Sequence, residues 1–140
     1  MANSNITFIN HASVKISNNE TAILTDPWYE GNAFNKGWLL LYENNDKEII
    51  QTLSDIQYIW ISHEHPDHFS ILFFKKYLKL ILDCQITVIF QNTKDKRVIN
   101  FLKSLNIPTL ELTENKFFNL SKNFKIKIIK SDFYDSALIV

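Results

Sequence analysis

The stretch Ser62-His63-Glu64-His65-Pro66-Asp67-His68 holds three of the chain's four histidines and reads His-x-His-x-Asp-His. Imidazole and carboxylate side chains at this density have few uses other than holding one or two transition-metal ions. The residues ahead of it, Gln57-Tyr58-Ile59-Trp60-Ile61-Ser62, are apolar, β-branched and aromatic in the manner of a buried strand. The histidine loop therefore starts at a strand end. If the chain stays extended for two more residues, His63 and His65 point to the same side, because side chains alternate along a strand. One ion can then take both. Pro66 fixes its own φ and pushes His65 toward extended geometry, so the chain turns after it. Asp67 and His68 then face another direction and suit a neighbouring second ion. Neutral imidazole with carboxylate accepts zinc, iron or manganese without discriminating among them. The competing reading is a solvated polar loop whose histidines cap the following helix.

Upstream, Ile6 to Asn10, Ser13 to Ser17 and Thr21 to Thr25 read as three short strands of a meander, with turns at His11-Ala12 and Asn18-Asn19-Glu20. Asn45 and Glu48 form a capping pair for a helix with Ile49, Ile50 and Leu53 on one face. Downstream of the loop, Ser70 caps a helix with an apolar stripe of Ile71, Phe74, Leu78 and Ile81. Ile86 to Phe90 is a second buried strand, Lys94 to Leu105 an amphipathic helix, and Pro108 to Leu112 a third strand. Phe124 to Lys130 alternates apolar residues with lysine and so is half exposed. Strands alternating with helices imply an α/β arrangement of a sheet with helices packed on it. Both glycines, two tryptophans, Tyr29 and Phe34 fall in the loop from Trp28 to Trp38. Such a loop either walls a substrate pocket or packs over the sheet edge, and its glycines suggest unusual backbone angles.

At 140 residues and 46% apolar composition the chain suits a single domain, residues 1–140, with enough material for a core. Fifteen basic residues balance fifteen acidic ones, so no global field favours nucleic acid or an anionic membrane. The partner expected is a small-molecule substrate. The lone Cys84 excludes a disulfide within the chain and is consistent with a reducing cytosol. The start, Met1-Ala2-Asn3-Ser4-Asn5, lacks the pattern of a signal peptide, and no apolar run is long enough to span a bilayer, so a cytoplasmic location is expected.

The His-x-His-x-Asp-His loop resembles the signature of the metallo-β-lactamase fold superfamily. Thr25-Asp26-Pro27-Trp28 and the segment Gly31 to Leu40 are similar to the sialic acid hydroxylase-like branch and, more distantly, to the ascorbate-phosphate lactonase branch. The resemblance implies the N-terminal half of an αββα sandwich, with a mixed sheet and flanking helices. It also implies that a second half, carrying further ligands, follows beyond Val140. On this reading His63, His65, Asp67 and His68 hold one or two divalent ions, zinc before manganese or iron. Asp67 doubles as the catalytic residue that steers or accepts the proton of a bound water. Asp26 orients the metal-bound histidines, although an aspartate before proline also simply starts turns. His11, standing where the branch has a Gly-His-Ala/Ser segment, is either near the metals or facing substrate, or an ordinary turn histidine. No histidine follows His68, so Asp132 or Asp135 is the candidate to replace a ligand supplied late in this region.

Three functions fit the resemblance. The first is a hydrolase that uses a metal-activated water on a phosphate ester, lactone or similar bond of a small metabolite or sugar nucleotide. The second is a component of a sugar-nucleotide hydroxylase; one cysteine cannot build a Rieske centre, so that partner would be a separate chain. The third is an inactive fragment or interaction module. An open sheet edge at the chain's end makes a homo-oligomer a further expectation.

Overall fold

The computed structural model describes residues 4–131 and 135–140. The first three strands form the expected meander. β1 (Asn5–Asn10) pairs antiparallel with β2 (Ser13–Ser17), and β2 pairs antiparallel with β3 (Ala22–Thr25). Asn18 closes the second turn, its side-chain oxygen accepting from the backbone N–H groups of Glu20 and Thr21, both at 2.8 Å. This is the local bonding that favours asparagine in turns. Beyond β3 the direction changes. β4 (Tyr58–Ile61), β5 (Thr87–Gln91) and β6 (Thr109–Leu112) each lie parallel to the strand before, giving a six-stranded mixed sheet in the order β1-β2-β3-β4-β5-β6. Parallel neighbours require crossovers. These are α1 (Asp46–Ser54), then α2 (Ile71–Lys76) with α3 (Leu78–Asp83), then α4 (Arg97–Ser104). A separate antiparallel sheet follows, built of β7 (Phe117–Ser121), β8 (Phe124–Lys130) and β9 (Ser136–Ile139).

Alternation along the central strands divides the apolar side chains between two cores. Leu24, Ile59, Ile61, Val88 and Phe90 face the helices and pack with Ile49, Leu53, Phe73, Phe74, Val98 and Leu102. Ile23, Trp60 and Ile89 face the opposite way and meet Phe124, Ile126 and Ile128 of β8. Burial of both faces is what parallel strands require. The result is three layers, helices on a mixed sheet on a smaller sheet, and the α/β class with flanking helices read from the sequence is the one observed. Among the described residues no helix is long and apolar enough to cross a membrane.

Several local expectations shift. The helix read from Ser70 through Ile81 divides at Tyr77, which closes α2 and opens α3. Tyr77 is buried against Phe73, and its hydroxyl donates to Asp46 Oδ1 at 2.8 Å, so a tertiary contact sits where the helix bends. The buried stripe is Phe73, Phe74, Tyr77 and Ile81 rather than one starting at Ile71, which is 46% exposed. α4 begins at Arg97, three residues later than Lys94, because the Asp95 carboxylate accepts from the Arg97 N–H at 2.9 Å. β7 had no signal in the sequence. Its Phe117, Phe118 and Asn119 are exposed, so it lacks the alternation that identifies β8.

The capping box read at Asn45 and Glu48 is present in both halves, but α1 buries Ile49 and Leu53 while Ile50 is 47% exposed. Ile49→Ala should therefore cost about 2–5 kcal/mol in urea unfolding. Ile50→Ala should stay within about 0.5 kcal/mol of the parent. Equal losses would contradict this orientation of the helix.

Candidate metal centre

The ends of β1, β3, β4 and β5 lie at one end of the main sheet, where open α/β sheets collect their functional loops. The β1–β2 turn is tied to the end of β3 by Thr25, whose hydroxyl donates to Ala12 O at 2.8 Å and accepts from Val14 N at 3.0 Å. Asp26 follows at once, in a left-handed conformation with φ 37°. Its N–H donates to Trp60 O at 2.9 Å, continuing the parallel ladder one residue beyond the strand. This register sets its carboxylate beside Ser62. Oδ1 accepts from Ser62 N at 2.7 Å, and Oδ2 accepts from Ser62 Oγ at 2.8 Å.

Ser62 is in turn held from the other side. Its carbonyl accepts from Gln91 Nε2 at 3.1 Å, at the end of β5, and from Ser136 Oγ at 2.7 Å, at the start of β9. Both sheets therefore fix the residue from which the histidine loop departs. Ser62, Gln91 and Ser136 were not singled out by sequence, because small polar residues at strand ends carry no spacing signal of their own.

Beyond Ser62 the side chains converge. His63 Nε2 lies 2.9 Å from His65 Nδ1, with ring centroids 4.5 Å apart. His68 Nε2 lies 3.4 Å from Asp67 Oδ2. His63 and His68 are themselves neighbours, with centroids 4.2 Å apart. The turn after Pro66 is closed by His68 N and Phe69 N, both donating to His65 O. His11 reaches in from the β1–β2 turn, its Nε2 3.1 Å from Asp67 Oδ2. Among the described residues His11, Asp67 and His68 form a group whose ligand atoms all lie within 4.8 Å of one another.

The opposite ring nitrogens determine which nitrogens are free. His68 Nδ1 stands 3.0 Å from Asp26 Oδ2, and His63 Nδ1 stands 3.3 Å from Asp135 Oδ1. The Ser62 hydroxyl donates to Asp26 and so accepts from His63 Nδ1 at 2.9 Å, and the Asp26 carboxylate accepts from His68 Nδ1; in the neutral imidazole each Nδ1 then carries the hydrogen and each Nε2 keeps its lone pair. Burial holds the pKa of His63 below the usual histidine value, helped by the neighbouring His68 and His65 and opposed by Asp135 and Asp26. Burial also acts against the charged form of His68, but the Asp26 hydrogen bond and the charges of Asp26, Asp67 and Asp135 outweigh it and raise that pKa.

Asp135 thus lies on the side of His63 that faces away from His65. Its carboxylate stands at the Nδ1 of that ring, whereas His65 stands at the Nε2. Asp132 lies outside the described residues. His11, read from sequence as near the metals or facing substrate or as a turn histidine, lies in the β1–β2 turn with its Nε2 3.1 Å from Asp67 Oδ2.

These donors fit a divalent ion. Two ligands of one zinc at about 2.0–2.1 Å stand no more than about 4 Å apart, and the His63–His65 and Asp67–His68 separations lie within that bound. Asp67 is 4% exposed, and its buried Oδ1 has no hydrogen-bond partner among the described residues. A buried carboxylate oxygen left without a donor is costly, and a cation removes that cost.

The aromatic loop divides into a buried and an exposed part. Trp28 and Tyr29 are buried, whereas Phe34 is 43% and Trp38 51% exposed. His11 sits edge-on to Trp28 and Trp38, and Phe34 contacts His65. Gly31 takes the left-handed φ of 70° anticipated for a glycine, and a Cβ there would come 2.7 Å from Leu72 Cδ1. Around Gly37 the left-handed residues are instead Phe34, Asn35 and Lys36.

Comparison with known proteins places this geometry in a family. Over 65 residues the chain is 38% identical to the cytidine monophosphate-N-acetylneuraminic acid hydroxylase of Danio rerio, covering 46% of this chain and 11% of that protein. Over 71 residues it is 37% identical to the inactive form of that enzyme in Homo sapiens, covering 51% and 14%. The chain thus spans only a small part of the length of the curated relatives it matches. In fold it is similar to CmlA, a diiron β-hydroxylase from Streptomyces venezuelae, with a TM-score of 0.65 at 12% identity, covering 96% of this chain and 27% of that one. The model of the β-lactamase superfamily domain matches residues 5–128, from β1 through most of β8 and across the whole histidine loop. By that match and by its layered sheets, the chain belongs to the β-lactamase superfamily and has the metallo-β-lactamase fold.

Proposed function

We propose that this chain carries the metal-holding part of a hydrolase that uses a metal-activated water on a phosphate ester, lactone or similar bond of a small metabolite or sugar nucleotide. The observation that carries this reading is the pairing of inward nitrogens with outward carboxylates. His63 and His68 each turn Nδ1 to an aspartate, leaving Nε2 toward His65 and Asp67 respectively. His63 and His65 would hold one divalent ion, and Asp67 and His68 would help to hold a second. Zinc is the ion proposed, and manganese or iron suits the same donors. Such ions, when bound, polarise a carbonyl or phosphoryl oxygen and lower the pKa of water.

The chain's own residues supply position and proton handling. Asp26 fixes the tautomer and direction of His68, and through Ser62 it fixes the start of the loop. Asp67, whose Oδ2 meets His11 Nε2 at 3.1 Å, would steer or accept a proton from the attacking water.

One observation favours a second reading. The relatives aligned with about half of this chain are named hydroxylases. On that reading the chain is the metallo-β-lactamase-like component of a sugar-nucleotide hydroxylase, takes iron, and works with a separate Rieske protein. The two readings part on metal content and chemistry. Zinc in the purified chain, with metal-dependent hydrolysis of simple phosphate esters or lactones, is the expected result; bound iron without hydrolysis points to the hydroxylase. Less than one ion per chain, with melting unchanged by chelator, contradicts both.

His65→Ala should remove at least one equivalent of bound metal, measured by elemental analysis after dialysis. Asp26→Asn, which turns one acceptor of this network into a donor, should weaken metal binding about 10- to 100-fold. In the metal-free protein the raised pKa of His68 has a defined sign. Its stabilisation is fully present below the ordinary histidine value and is lost as pH rises through the raised one. In chelator, His68→Gln should therefore lower the melting temperature more at pH 5.5 than at pH 8, as ~two pH points spanning the histidine range. Metal affinity should run the other way, falling on acidification as imidazoles protonate.

A further inference from the structure

We propose that His11 is itself a metal ligand, completing with Asp67 and His68 a three-donor position that draws on two separate turns of the fold. The inference rests on the metal-binding reading above and adds a ligand to it. Four ligands arranged tetrahedrally at zinc distances stand about 3.3 Å from one another. His11 Nε2 is 3.1 Å from Asp67 Oδ2, and His68 Nε2 is 3.4 Å from that same oxygen. All three ligand atoms lie within 4.8 Å of one another. A simple His11–Asp67 ion pair accounts for Oδ2 but leaves the buried Oδ1 of Asp67 without a donor among the described residues. A cation held by the three side chains would compensate the charge of this buried carboxylate as well.

The turn that presents His11 is built to hold it there. His11 has φ 38°, a left-handed conformation that few residues other than glycine adopt, histidine among the more tolerant of them. The neighbouring Asn10 is 6% exposed, and its amide donates to Tyr42 O and to Asn44 Oδ1, both at 2.8 Å. Ala12 O is held by Thr25 Oγ1 on the other side. The His11 ring meets the edges of Trp28, Trp38 and His68 at centroid distances of 5.1, 6.0 and 5.8 Å. An ordinary turn histidine needs none of these restraints. Strained backbone concentrates where a side chain must be aimed.

With His11 included, the position around Asp67 has three protein donors from this chain, the number usual for a catalytic zinc with one place left open. The His63–His65 position has two. The Asp67 position is therefore the tighter of the two.

The test uses the full chain loaded with zinc. His63→Ala breaks the two-donor position, so the ion that remains reports on the other. X-ray absorption at the zinc edge should then fit two imidazoles per zinc in H63A and one in H63A/H11N, with zinc affinity at least tenfold weaker in the double variant. Asparagine tolerates the left-handed turn but is too short to reach the ion. His11→Gly, which relieves the φ entirely, takes its place if H63A/H11N does not fold. A role in merely orienting Asp67 would weaken binding while leaving the imidazole count unchanged, and that count would overturn the assignment. Wild-type protein that binds no zinc would overturn the metal-binding reading as well. Wild type that binds zinc, with equal imidazole counts in the two variants, overturns only the role of His11.

Discussion

The buried carboxylate of Asp26 holds the site together. It sits one residue past β3, is 4% exposed, and accepts from the backbone and the hydroxyl of Ser62 as well as from His68 Nδ1. A buried carboxylate is tolerated only when its oxygens are well supplied with donors. Here the donors come from the first residue of the histidine loop and from its last histidine. Both ends of the loop are thereby clamped to the strand beside it, and the shape of the loop follows from the pairing of β3 with β4.

That clamp works because of where the chain reverses its habit. β1 to β3 form an antiparallel meander, and β3 to β6 run parallel. β3 belongs to both parts. The turn that carries His11 and the loop that carries His63 to His68 consequently emerge at the same end of the sheet, on either side of Asp26. The two cores make this placement rigid, since β3, β4 and β5 are buried on both faces and the residues leaving them have little freedom. The second sheet adds the hydroxyl of Ser136 on Ser62 O and the carboxylate of Asp135 on His63 Nδ1.

Polar atoms in this region are arranged in one direction. Aspartates stand behind the rings of His63 and His68, and lone pairs face forward, toward His65, Asp67 and His11. Exposed Phe34 and Trp38 border the forward side, with Phe34 against His65 and Trp38 against His11.

Much of this was legible in the residues alone. The spacing of His63, His65, Asp67 and His68 announced a metal loop because few other uses place those side chains so densely, and the apolar run before it announced the strand. The meander, the capping box at Asn45 and the alternating Phe124–Lys130 were readable because each rests on local chemistry: turn bonding, orphan N–H groups, and a period of two. What sequence could not decide involved partners distant along the chain. That Ile50 faces water, that Tyr77 bends a helix, and that exposed β7 is a strand all depend on which neighbour packs against them. The same holds at the site. Asp135 follows His68 by 67 residues, yet it lies behind His63. His11 precedes Asp67 by 56 residues, yet it lies within hydrogen-bond distance of it. Residue type and spacing single out the histidines and aspartate of one loop, but only the pairing of strands brings side chains from separate turns beside them.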